Sequence, residues 1–209
     1  MRGLAVLLLC ASAGAFAARP LATEDASILE AGRCQVEGWI DRSHADTQSW
    51  LAPSCNLGAS IEWQVGFARS DAYAQAKFAS SFASRGISIG AVAGVIRGGT
   101  PYVTLPLSAA IGDSAMVHVN AGWIRDRSRR KDAGTWGAAL EKFLPGDVTL
   151  LAEAYSMDGG RPFGRIGGRY AAIKDRLELD VSLVTRAGGN RSDRLISVGF
   201  LYQSGRFLP

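Results

Sequence analysis

The chain has 209 residues and a formal net charge of +4, from 23 Lys and Arg against 19 Asp and Glu. So mild a balance, with no long basic helix and no aromatic-basic array, gives nucleic-acid binding no support. Past the first residues nothing approaches the ~18 consecutive apolar residues of a membrane-spanning helix, and 25 glycines with few helix-forming runs point to β-structure.

The opening stretch, MRGLAVLLLCASAGAFAARP, has a basic start at Arg2, an apolar run from about Leu4 to Ala11 and a small-x-small site at Ala15-Phe16-Ala17. It reads as a secretory signal peptide over residues 1–17, and the run is too short for a membrane anchor. Cys10 leaves with the signal; Leu9 stands where a lipidation site would want a small residue. The exported chain keeps two cysteines, Cys34 and Cys55, and an even count in an oxidising compartment favours a disulfide. Residues 18–32, ARPLATEDASILEAG, read as a polar lead-in on the periplasmic side, and 33–209 as one domain.

Residues 33–55, RCQVEGWIDRSHADTQSWLAPSC, have an internal symmetry. Folded about His44-Ala45, Cys34 meets Cys55 and Trp39 meets Trp50. One centre serving two pairs is what a hairpin with directly opposed partners requires. The disulfide then clasps the base of the first hairpin.

From Ala59 the chain alternates. Ala59, Ile61, Trp63, Val65 and Phe67 are apolar, with Ser60, Glu62, Gln64 and Gly66 between them, a period of two that marks a strand with unlike faces. Ala74, Ala76, Phe78 and Phe82 continue it against Gln75, Lys77 and Ser81. A turn centred on Ser70-Asp71 would pair Val65 with Ala76, Trp63 with Phe78 and Gln64 with Lys77. The same alternation returns at 115–126, 148–155, 177–183 and 196–203, and in weaker form at 86–97, 101–111, 133–143 and 161–172. The expected strands are 33–43, 47–56, 59–69, 72–83, 86–97, 101–111, 115–126, 133–143, 147–157, 161–172, 175–186 and 193–204. Each is about ten residues, enough for a tilted strand to cross a bilayer.

The fold class expected is therefore all-β: a closed, antiparallel, up-and-down transmembrane barrel of about 12 strands. The two longest gaps, 127–132 and 187–192, both follow odd-numbered strands, which matches long outer loops and short periplasmic turns. Trp123 and Trp136 flank the first of these gaps on the apolar face and suit an aromatic girdle. A soluble lipocalin-like barrel would alternate equally well but with its apolar face inward. The weak charge and the small residues of the polar face favour the membrane form.

The stretch RPLATEDASILEAGRCQVEGW resembles the start of proteobacterial outer-membrane barrels. It is most similar to the group of meta-pathway phenol-degradation and related small transporter-like proteins. The resemblance covers about twenty residues; the rest agrees in architecture. It implies an outer-membrane location and a passive channel for small, including aromatic, compounds. Barrels of this type end on a terminal aromatic for the barrel assembly machinery. Here the chain runs past Phe200 and Tyr202 to Phe207, a departure from that pattern.

Chemistry beyond transport has little footing. His118 lies on the polar face beside Asn120, where a barrel hydrolase would carry its serine, and no His, Cys or carboxylate cluster has metal-ligand spacing. No enzyme, metal or cofactor is expected. The polar face carries charge instead: Glu37, Glu62, Glu141, Glu153, Glu178 and Asp180 against Lys77, Arg165, Arg169 and Arg186. A turn centred on Gly159 sets Glu153 opposite Arg165, and Arg169 faces Glu178 or Asp180. With His118, these are the candidates to line the lumen. They form either a constriction that selects permeants or an ion-pair network that fills a small lumen. Arg127, Arg129, Arg130 and Lys131 make a basic loop suited to lipid or lipopolysaccharide phosphates. The expected function is a narrow passive channel for small solutes. A non-conducting structural barrel is the alternative.

Overall fold

The computed structural model describes residues 20–206 except 59, 83–85, 127–130 and 191–192. Residues 1–17, expected to be a signal peptide, and Arg127, Arg129, Arg130 and Phe207 lie outside the described residues. The alternating segments form twelve strands: β1 Cys34–Ser43, β2 Thr47–Asn56, β3 Ile61–Ala68, β4 Ala72–Phe82, β5 Ile87–Ile96, β6 Thr100–Ile111, β7 Ala115–Asp126, β8 Lys131–Leu144, β9 Val148–Ser156, β10 Phe163–Ile173, β11 Leu177–Arg186 and β12 Leu195–Gln203. Each pairs antiparallel with its chain neighbours, and β1 closes on β12 from Gln35↔Gln203 to Ser43↔Leu195. Closure leaves no strand edge, the condition hydrocarbon imposes on a sheet.

Sidedness separates the two barrel readings. Ile40, Phe67, Leu105, Ile166, Leu183 and Val198 are exposed on the outer wall. In the opposite phase Glu37, Glu62, His118, Glu141, Glu153 and Asp180 are buried inside. A soluble barrel would show the reverse, so the lipocalin-like alternative does not hold. Trp123 and Trp136 lie on the outer wall, 38% and 45% exposed, near the end of the barrel away from the termini.

The first hairpin has the register its symmetry requires, with Cys34↔Cys55 and Trp39↔Trp50, and Cys34 and Cys55 are joined by a disulfide. The second hairpin differs from expectation by two residues: Val65 meets Ala74, Gln64 meets Gln75 and Glu62 meets Lys77. A shift of two leaves every side chain on its face, so alternation could not resolve it. Turn lengths also differ in detail. β7 and β8 pair out to Asp126↔Lys131, so that connection shortens to 127–130. The longest connections are 157–162 and 187–194, both at the end opposite the termini. That end is called the loop end below, and the other the terminal end.

The lead-in expected on the periplasmic side runs inside the barrel. From the terminal end, where Gly32 N donates to Asn56 O at 2.8 Å, it climbs across the lumen. Leu29 N donates to Glu62 Oε2 (2.9 Å), Ala26 N to Ser108 Oγ (2.8 Å) and Thr23 N to Glu153 Oε2 (2.9 Å). An irregular segment has backbone polar groups to satisfy, and the inward side chains of β3, β6 and β9 supply the acceptors. Room is made by Gly137 on β8: a Cβ there would come within 2.5 Å of Thr23 Oγ1.

Candidate functional site

Alternation along each strand carries every second side chain into the lumen, and the lumen divides into two layers. Toward the terminal end it is packed with charge and hydroxyls. Arg169 on β10 bridges Glu141 on β8 (3.1 Å) and Glu178 on β11 (3.3 Å), directly across the ladder from Asp180. His118 on β7 is fully buried, with Nδ1 2.8 Å from Ser108 Oγ on β6 and Nε2 3.9 Å from Glu141. This serine, histidine and carboxylate meet across strands. The Ser108 hydroxyl, however, accepts from Ala26 N, and the lead-in covers it. The three act as a link between wall and lead-in.

Higher up, Lys77 on β4 pairs with Glu24 (3.1 Å) and with Asp25 of the lead-in. On the far side Glu153 on β9 takes Arg165 Nε (3.3 Å) from the register-opposed position on β10, and also Ala22 N (2.8 Å). Glu37 lies inward on β1, near Gln35 Nε2 at 3.4 Å. Arg186 stands apart from the other sequence candidates. It sits at the loop end and pairs with Asp158 of the 157–162 connection (3.2 Å), with its guanidinium 4.9 Å from the Phe163 ring centroid. Asp158 is held below the usual carboxylate range first by the Gly160 backbone N–H and then by Arg186.

Above the lead-in is a cavity of about 900 Å³. Its wall is aromatic. Trp39 and Trp50 stack at 5.5 Å, Trp50 approaches Tyr73 at 6.0 Å, and across the lumen Tyr155 stacks on Phe163 at 5.4 Å. Tyr73 and Tyr102 lie against the wall, because the residues opposite them are glycines. A Cβ at Gly66 would come within 2.0 Å of the Tyr73 ring, and one at Gly94 within 2.5 Å of the Tyr102 ring. Their hydroxyls are tied into one chain: Tyr102 donates to Gln75 Oε1 (2.5 Å), Gln75 Nε2 to Gln64 Oε1 (2.8 Å) and Tyr73 to Gln64 Oε1 (3.1 Å). Among the described lining residues eight carboxylates face two cations, Lys77 and Arg165.

Sequence reasoning found the charged layer and missed this wall. The signal was present: Tyr73 is in phase with Gln75 and Lys77, Tyr155 with Glu153, and Trp39 with Glu37. Aromatic residues in the polar phase of a barrel strand belong to the lumen.

A closed barrel of twelve strands, apolar outside and charged within, defines a transmembrane β-barrel of the porin type. The chain matches over residues 5–200, and belongs to, the family described as Uncharacterised conserved protein UCP029691. No curated protein matches it. Its fold is similar to that of the KdgM porin, at 15% identity and TM-score 0.66, with 80% of this chain and 98% of that one covered. The KdgM porin in complex with disordered oligogalacturonate is similar at 14% identity and TM-score 0.64, with the same coverage. The NanC porin is similar at 10% identity and TM-score 0.59, with 81% and 98% covered.

Proposed function

We propose that this protein is an outer-membrane channel that admits small solutes, aromatic ones among them, through a lumen narrowed by its own residues 20–32. The observation that carries the reading is the loop-end cavity: a wide, aromatic-walled chamber inside a wall whose outer face suits only hydrocarbon. The lead-in and the Glu153–Arg165 and Lys77–Glu24 pairs around it form the constriction. Trp123 and Trp136 sit in the outer aromatic girdle, and the composition of the basic loop before and including Lys131 suits lipid phosphates. The similar KdgM structure holds an oligogalacturonate; the carboxylate excess here disfavours such a polyanion.

One observation favours the non-conducting alternative, the lead-in crossing the lumen. Planar-bilayer recordings decide between them. The refolded mature chain is compared with a variant lacking residues 20–30. The channel reading expects small discrete openings for the mature chain and larger ones for the deletion. Silence from both, with the barrel shown folded by heat-modifiable gel mobility, leaves the structural barrel.

A further inference from the structure

We infer that the loop-end cavity is a binding site for a small organic cation with a flat apolar body, such as an aromatic ammonium. The inference deepens the channel reading and rests on it for the solute's route. Its chemistry comes from three features that converge on one wall. Trp39 and Trp50 are stacked on neighbouring strands, and Trp50 and Tyr73 meet at an interplanar angle of 46°, so the wall turns a corner of ring faces. Such faces carry negative quadrupole charge and attract cations stripped of water.

Beside them Asp41 accepts from Trp39 Nε1 through Oδ2 (3.1 Å), while its buried Oδ1 has no hydrogen-bond partner among the described residues. A buried carboxylate oxygen with nothing to accept from is costly. An alkylated ammonium close by, attracted by the charge rather than by a hydrogen bond, offsets that cost. The cavity as a whole has the same sign, with eight carboxylates to two cations among the described lining residues. Both cations are already engaged: Lys77 with Glu24 and Asp25, and Arg165 with Glu153. Among the described residues no cation pairs with Asp41. At about 900 Å³ the chamber holds a solute of ordinary metabolite size.

Equilibrium binding to the refolded mature chain in detergent tests this without any need for conduction. The probes are benzyltrimethylammonium, benzyl alcohol and benzoate, followed by calorimetry and by tryptophan fluorescence. Saturable binding of the cation is expected, with the alcohol about tenfold weaker and benzoate not bound. Asp41→Asn and Trp50→Ala each weaken the cation about tenfold, whereas Trp123→Phe on the outer wall changes only the baseline fluorescence. Benzoate binding as well as the cation, or a folded Asp41→Asn variant that binds undiminished, overturns the site. If either variant fails to fold, the order of the three probes on the wild-type chain still decides. Binding with a silent bilayer keeps the site and removes the channel; openings without binding remove the site and keep the channel.

Discussion

Tyr102 lies over Gly94, its register partner on the neighbouring strand, so closely that a Cβ on the glycine would come within 2.5 Å of the phenol. The glycine lets the ring lie along the barrel wall, and the ring's hydroxyl is tied to Gln75 at 2.5 Å. Gly94→Ala must push the ring into the cavity or distort the ladder. A destabilisation of about 1–3 kcal/mol is expected, the usual cost of overpacking. Adding Tyr102→Ala should return most of it, because the clash partner is gone. Unfolding midpoints of the two single variants and the double variant measure the coupling. Additive effects would show that the contact is not what places the ring.

The two arginines of β10 should behave differently when truncated. Arg169 is 5% exposed and holds Glu141 and Glu178 together, so Arg169→Ala leaves buried carboxylates without their cation and should cost about 3–5 kcal/mol. Arg165→Ala costs less, since Glu153 keeps the Ala22 and Thr23 amides as donors. It should instead widen the passage and strengthen cation preference. Urea unfolding of both variants, with reversal potentials for Arg165→Ala, checks the contrast. Equal stability losses would contradict the layered arrangement.

Breaking the Cys34–Cys55 disulfide releases a loop closed over a sequence separation of 21. The chain-entropy model gives about 3 kcal/mol for such a loop. The Cys34→Ser/Cys55→Ser variant should fold to the same barrel but unfold at lower denaturant. Alkylation of the wild-type chain from residue 18 onward, without reductant, should add no mass; two labels would mean that the bond is absent.

Asp158 gives the loop end a response to acid. Its folded pKa is depressed, so the stabilisation it provides is present above the ordinary value of about 3.9 and is lost as pH falls through the folded value. Below that point Gly160 N and Arg186 lose a charged partner, and the 157–162 connection should loosen. The side chain is half exposed, so the effect is local and small. The Gly160 amide resonance should follow this titration in the wild type. An Asp158→Asn variant should show a flat response over the same range.

Much of this barrel is written along the chain. Strand positions, the two faces and the β1–β2 register follow from local pattern, because a period of two is a property of neighbours and the Cys34/Cys55 and Trp39/Trp50 pairs share one centre. Glu153 opposite Arg165 was legible for the same reason: one turn fixes it. Three things were settled only in three dimensions. The β3–β4 register slipped by two, since a slip of two keeps Glu62, Gln64 and Lys77 on the inner face and costs the pattern nothing. The course of residues 20–32 had no period to read. Ala22, Thr23, Ala26 and Leu29 are held by Glu153, Ser108 and Glu62, at separations up to 131 residues. The cavity wall needed closure itself. Trp39, Tyr73, Tyr102 and Tyr155 are each one residue in a different strand, and only bending the sheet until β1 meets β12 brings their rings around a common space. Pattern fixes which way a side chain points; the curvature of the closed sheet decides what it points at.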